Sequence, residues 1–250
     1  SADAGACEAT NVNLGATQTS DNCGVASVEN DAPASFPVGE TTVVWTVTDI
    51  HGNTATTEQV VTVYDNEAPT ISVTAVTLYN DEGMCEASTD NLATLTSPVT
   101  SDNCAVDGVE SNAAATLPVG VNTVIWTVTD MAGNTATAVQ TVTVIDNEAP
   151  EISIEPVIVS ADAGSCQAAH VELGDPVAAD NCAVDSISND APAVFMVGET
   201  TVTWTVIDIH GNSSTFEQTV TVTDDELPVI TAPAADTVSA DPDRKSTRLN

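Results

Sequence analysis

Asp65-Asn66-Glu67-Ala68-Pro69 recurs as Asp146-Asn147-Glu148-Ala149-Pro150 and, slightly altered, as Asp224-Asp225-Glu226-Leu227-Pro228. A run of acidic and amide side chains closed by proline cannot lie inside a buried strand. Proline lacks the ladder donor, and buried carboxylates would need partners. Yet an alternating strand pattern leads up to each copy and an apolar segment leaves it. Each copy therefore reads as a hinge between repeats. Working outward, Cys7, Cys85 and Cys166, then Trp45, Trp126 and Trp204, keep the same steps of 78 or 81 residues. A repeat of about 80 residues is the size of a small β-sandwich domain.

Within a repeat the strongest strand signal is Thr41 to Thr48, where Val43, Trp45 and Val47 share one face and Thr42, Val44, Thr46 and Thr48 the other. The chain turns at Asp49-Ile50-His51-Gly52-Asn53 and returns as Val60-Val61-Thr62-Val63-Tyr64, a hairpin that ends at the hinge. No helical period persists, and Thr and Val dominate. The expected class is all-β, small β-sandwich domains in tandem in a linear array, with the three Trp residues as core plugs.

The expected organisation is a repeat at 1–66 lacking its first strand, repeats at 67–147 and 148–225, and at 226–242 the first strand of a fourth repeat or a donor strand. The latter leaves two routes open: a covalent array cut at an arbitrary point, or strand exchange between copies. Residues 243–250 resemble a translated sequencing adapter and are read as a tail that is not native.

Charge excludes several functions. Asp and Glu number 37 against three Lys and Arg, and those three are Arg244, Lys245 and Arg248, so residues 1–242 carry no basic side chain except histidine. Such a surface excludes nucleic acid as a partner and repels an anionic membrane. No apolar run is long enough to span a bilayer, so no membrane insertion is expected in this stretch. Salt bridges to Lys or Arg are impossible in the repeats; solvent ions, bound metal or simple separation must balance the carboxylates.

The six cysteines fall one pair to a repeat: Cys7 with Cys23, Cys85 with Cys104, Cys166 with Cys182. The regular pairing predicts one disulfide inside each domain and an oxidising, extracellular location, secreted or at a cell surface. No spacing typical of a zinc-thiolate site occurs. Catalysis finds no support: His51 and His210 share a hairpin position that Ala132 fills in the middle repeat, and His170 has no counterpart. The expectation is a protein that is not an enzyme.

The run from Phe36 to Ala55, FPVGETTVVWTVTDIHGNTA, with the hinge after Val63, resembles the hyalin repeat domains and, more broadly, bacterial immunoglobulin-like repeats of surface proteins. The resemblance covers nearly all of residues 1–238 and implies an immunoglobulin-like sandwich in extracellular adhesive or structural chains. The sequence departs from the usual pattern in having no cysteine after the Gly-Asn turn, which leaves the two cysteines of each repeat to pair with one another.

Strand direction decides which loops meet. The last strand of a repeat runs toward the following hinge, so the strand before it runs back and its turn lies at the opposite pole. Hence Asp130 and Asn134 should face Asp65, Asn66 and Glu67, and Asp208 and Asn212 should face Asp146, Asn147 and Glu148; Asp49 and Asn53 are their counterparts in the first repeat. The turn after the first strand should bring Asp3 to the first hinge, Asp81 or Glu82 to the second, and Asp162 to the third, Asp224-Asp225-Glu226. Each hinge thus gathers hard oxygen ligands from three segments, the supply that Ca2+ requires. The linker also resembles the acidic junctions of cadherin-type arrays, where calcium stiffens successive domains. Asp21, Asp102 and Asp180, beside the second cysteine, read as turn formers. The expected partners are neighbouring repeats or copies of the chain in a fibre; the alternative is an adhesin whose glycan or protein ligand binds elsewhere.

Overall fold

The computed structural model describes residues 1–88, 95 and 97–235. The expected tail at 243–250 and the end of the expected strand at 226–242 lie outside these residues. Residues 226–235 carry no strand. Among the described residues there is no helix at all, hence none that could cross a membrane.

The first repeat contributes β1 (Glu8–Thr10), β2 (Val25–Asn30), β3 (Ser35–Pro37), β4 (Gly39–Asp49) and β5 (Thr54–Val63). The second contributes β6 (Thr70–Ser72), β7 (Val76–Tyr79), β8 (Glu86–Ser88), β9 (Val99–Ser101), β10 (Val106–Ser111), β11 (Thr116–Pro118), β12 (Gly120–Asp130) and β13 (Thr135–Ile145). The third contributes β14 (Glu151–Ser153), β15 (Val157–Ser160), β16 (Gln167–Ala169), β17 (Val177–Ala179), β18 (Val184–Asn189), β19 (Val194–Met196), β20 (Gly198–Asp208) and β21 (Ser213–Thr223).

The long hairpin is the frame of each repeat. β4 and β5 pair antiparallel from Gly39 opposite Val63 to Thr48 opposite Thr54, and β12 and β13 do likewise. A third strand joins the other edge of β4 or β12 with a bulge at its start. In the second and third repeats a fourth strand, β7 or β15, runs parallel to the last strand, giving the sheets β10-β12-β13-β7 and β18-β20-β21-β15. The first repeat has the three-stranded sheet β2-β4-β5. Short pairs, β1-β3, β8-β11 and β16-β19, form the facing layer, and β6-β9 and β14-β17 close one side. This is the all-β class that the alternation predicts, and the immunoglobulin-like sandwich that the resemblance to hyalin repeats implies.

The cores are small. Ala9, Phe36, Val43 and Val63 fill the first, and Leu78, Ala87, Leu117, Val124, Val142 and Val144 are central to the second. Ala168, Phe195, Val202, Trp204, Val220 and Val222 fill the third. Each Trp is tied down by a glutamine that the sequence reading passed over: Trp45, Trp126 and Trp204 donate Nε1–H to Gln59, Gln140 and Gln218 at 2.8, 2.8 and 3.0 Å. Gln218 in turn donates to the carbonyls of Glu155 and Leu173.

By contacts the chain forms two compact units, one made of 1–150 with 179–185 and 207–212, the other of 151–178, 186–206 and 213–250. The first holds two of the cores, both of the acidic clusters described below and both disulfides.

Candidate metal sites

Period-two alternation along β12 and β20 places the first candidate ligand. In β20, Val202, Trp204, Val206 and Asp208 point inward in turn, so the strand's terminal Asp is carried to the buried side, and Asp130 ends β12 in the same way; each is 2% exposed. The Asp is then locked by its own turn. Asp130 Oδ1 accepts from the amides of Ala132 and Asn134 at 2.9 and 2.8 Å, and Oδ2 accepts from Asn134 Nδ2 at 2.8 Å. Asp208 has the same bonds from His210 and Asn212. Burial works to raise both carboxyls, but the Asn134 or Asn212 side chain and the turn amides outweigh it and hold both below the ordinary value.

The hinge supplies the second candidate ligand. Asn134 Nδ2 lies 3.2 Å from the carbonyls of both Asp65 and Glu67, and Asn212 Nδ2 lies 3.2 Å from that of Asp146. The hinge is held from the other side by Glu67, which accepts from Gly5 N at 2.7 Å, as Glu148 does from Gly83 N at 2.8 Å. These glycines have φ of 72°, a left-handed turn that presents the amide. The hinge aspartates end up buried, Asp65 at 6% and Asp146 at 4% exposed.

The third candidate ligand comes from the loop read as a turn former. Asp102 Oδ2 accepts from the amides of Cys104 and Ala105, and Asp180 Oδ2 from those of Cys182 and Ala183. The turn role is real, but each carboxylate has a second oxygen left over. Asp65, Asp102 and Asp130 offer one oxygen each within 4.8 Å of one another, and so do Asp146, Asp180 and Asp208. Asp65 Oδ2, Asp102 Oδ1 and Asn103 Oδ1 are buried without a hydrogen-bond partner, as are Asp180 Oδ1 and Asn181 Oδ1. The amide nitrogens of Asn103 and Asn181 bond the hinge carboxylates at 3.2 Å each.

The two clusters differ at one position. Asp146 Oδ2 contacts His210 Nδ1 at 3.0 Å, whereas Ala132 stands at the corresponding place and Asp65 Oδ2 has no partner. Asp146, His210 and Cys182 also offer atoms within 4.8 Å, but the Cys182 sulfur is in a disulfide and cannot act as a thiolate.

The remaining residues named from sequence serve other bonds. Asp3, Asp81 and Asp162 accept from the amides of Thr10, Ser88 and Ala169 and brace their own turns. The Thr10 hydroxyl and amide hold Asp3 below the ordinary carboxylate value. Asn66 donates to Ser1, the Asn147 amide to Asn80, and Glu82 is exposed without a part in either cluster. Asp49 and Asn53 repeat the turn geometry, with the Asn53 side chain foremost in lowering the Asp49 carboxyl; among the described residues no hinge segment packs on them. At the third hinge Glu226 accepts from Gly164 N at 2.9 Å and Asp225 from Ser160, while Asp224 is exposed.

The disulfides correct the expected pairing. Cys7 bonds Cys104 and Cys85 bonds Cys182, both across 97 residues, while Cys23 and Cys166 are free and exposed. The pairs Cys7–Cys23, Cys85–Cys104 and Cys166–Cys182 do not form. The reason is polarity. The first cysteine of a repeat follows the turn at the outgoing hinge, where Gly5 meets Glu67; the second follows the loop at the incoming hinge, where the amide of Met131 meets the carbonyl of Ala105. The two are at opposite ends of one sandwich, and in the second repeat each finds its partner in an adjoining repeat, Cys104 with Cys7 and Cys85 with Cys182. Asn103 Nδ2 reinforces the link by donating to the carbonyl of Ala6 at 3.0 Å.

No family model matches the chain. Over 235 residues, 88% of this chain, it is 31% identical to Hyalin of Strongylocentrotus purpuratus, and over 220 residues, 80% of the chain, 30% identical to Hyalin of Lytechinus variegatus. The chain spans 19% and 40% of those two relatives. Among solved structures, Drosophila N-cadherin EC1-4 aligns with 77% of this chain and 60% of its own at 12% identity and a TM-score of 0.38. Protocadherin Gamma C5 EC1-3 aligns with 74% and 77% at 11% identity and a TM-score of 0.36. The hyalin relationship and the disulfides make this an extracellular protein.

Proposed function

From homology to hyalin over most of the chain, consistent with hyalin repeat domains, we propose that this is a non-enzymatic structural segment of a long secreted fibre or cell-surface stalk. In this reading Ca2+ at the acidic clusters stiffens the junctions between repeats. The observation that carries it is the convergence of buried oxygens without partners in a stretch that has no Lys or Arg to neutralise them.

The donor set fits a hard cation. Asp65, Asp102, Asp130 and the Asn103 side-chain oxygen would hold one ion; Asp146, Asp180, Asp208 and Asn181 would hold the other. All are oxygens, and water can complete a coordination number of six to eight. The first cluster contains no nitrogen or thiolate, which disfavours zinc or copper. Each ion would join a hinge to two loops of the following repeat and cancel the repulsion among three carboxylates.

The test is calorimetric titration of the chain with Ca2+, with melting temperature and small-angle scattering measured in Ca2+ and after chelation. Binding near two ions per chain, a higher melting temperature and a stiffer scattering profile in Ca2+ are expected. An unchanged melting temperature and no binding heat would overturn the reading.

A further inference from the structure

The sheet of the second repeat has an outer face unlike those of its neighbours. On β12 and β13 the buried positions are even-numbered, among them Val124, Val128, Gln140, Val142 and Val144, so the odd-numbered positions point outward. Two of the outward positions are glutamates in the first repeat, Glu40 and Glu58, and in the third, Glu199 and Glu217, and all four are exposed. By the same repeat steps the second repeat has Val121 and Val139 there, 75% and 62% exposed.

The change gives a continuous uncharged surface. Val139 lies opposite Ile125, Val121 lies opposite Thr143, and Ile145 lies opposite Tyr79; Ile125, Ile145 and Tyr79 are exposed as well. Threonines fill the other outward positions of β7, β12 and β13, so these three strands carry no charge on this face. The exposed acids of the sheet, Asp107 and Glu110, are both on its edge strand β10. A lone exposed valine needs no explanation. Here both acidic positions of one face change together, in a chain that has no Lys or Arg before Arg244.

We propose that this face binds the same face of a second copy of the chain, in a two-fold lateral contact. Charge selects that occupant. Two copies meeting through the corresponding faces of the first or third repeat would set glutamates against glutamates, whereas this face is self-complementary, valine and threonine against valine and threonine, as a two-fold contact requires. A basic partner would find no carboxylate on these three strands, and a neutral sugar would find one aromatic ring, Tyr79. Sheets stacked face to face lie about 10 Å apart, beyond the Debye length of about 8 Å at physiological salt, so charges behind the contact are largely screened. The ten paired residues of β12 and β13 extend about 34 Å, and three strands are about 14 Å wide. A pair of such faces buries about 1,000 Å², the size of a weak, reversible contact. The contact adds sideways pairing to the stalk reading and does not depend on calcium.

The experiment is sedimentation equilibrium of the whole chain at low and high salt, in chelator throughout so that the calcium reading plays no part. The exposed Cys23 and Cys166 are alkylated first, so that only non-covalent pairs count. V121E/V139E places at each position the residue that the first and third repeats hold there, and a melting temperature matched to the unaltered chain shows an intact fold. V60E/V177E adds two glutamates at exposed valines outside this face and is the charge-matched control. The expected result is a reversible dimer for the unaltered chain and the control, tighter at high salt, with association weakened about tenfold or more in V121E/V139E. A monomer at every concentration up to about 1 mM overturns the proposal. So does a dimer that V121E/V139E leaves unchanged, which puts the contact elsewhere. Binding to a neutral polysaccharide that V121E/V139E abolishes, without any dimer, gives the face a different occupant and overturns it too.

Discussion

Asp65→Asn should change sign with calcium. Asp65 Oδ1 accepts from Asn103 Nδ2 and Glu67 N, bonds that an amide oxygen can keep, while Oδ2 has no donor and faces Asp102 and Asp130. Two like charges at the cluster's outer limit of 4.8 Å repel by about 3.5 kcal/mol at an effective dielectric near 20. The substitution removes two of the three such pairs. If screening leaves a third of that repulsion, about 2 kcal/mol of stability is gained in chelator, a rise of about 4–8 °C in melting temperature for a unit of this size. In calcium the order reverses. The intact site gains about 2.7 kcal/mol at a hundredfold excess over its dissociation constant, and the variant loses that gain at one of two sites. Scanning calorimetry of both proteins, with Ca2+ and with chelator, reads the crossing directly. A variant less stable than the parent in chelator, with its calcium response intact, would refute the reasoning.

His210→Ala should strengthen cation binding at the second cluster toward that of the first, because the imidazole occupies the Asp146 oxygen that an ion would use; calorimetric titration would separate the two sites. Gln218→Ala should cost about 2–3 kcal/mol in chemical denaturation, since it strands the buried Trp204 N–H and removes the donor to two part-buried carbonyls. Asp49→Ala should destabilise the first repeat at neutral pH by an amount that disappears in acid. Its folded-state carboxyl is held low, chiefly by the Asn53 side chain, so the contribution is complete above the ordinary value of about 3.9 and fades as pH falls through the lowered one. Denaturation of parent and variant from pH 6 downward would show the two curves converge.

The hairpin was legible because β4, β12 and β20 carry one unbroken alternation, and that same alternation explains why Asp130 and Asp208 are buried. Strand direction also placed the Asp-x-x-Gly-Asn turns against the hinges. Applied to the cysteines, the same reasoning would have set Cys7 and Cys23 at opposite poles, but their proximity in sequence favoured a short loop instead. Asp102 and Asp180 were hidden for a different reason: one oxygen of each does what a turn aspartate does, and only the packed structure shows where the other points. Gln59, Gln140 and Gln218 left a trace, a glutamine 14 residues after every Trp. Polar residues in strands usually face water, so the recurrence carried no meaning until the indole nitrogens had positions.

The two disulfides also govern what pulling on the chain can do. Their loops overlap, so a force applied before Cys7 and after Cys182 passes through the first sulfur pair to Cys104, back along 19 residues to Cys85, and through the second pair to Cys182. At about 3.4 Å per extended residue that path reaches only about 65 Å, where 175 unlinked residues would reach about 600 Å. Even with every strand torn from its sheet, the segment would stop lengthening early, and most of its residues would bear no tension.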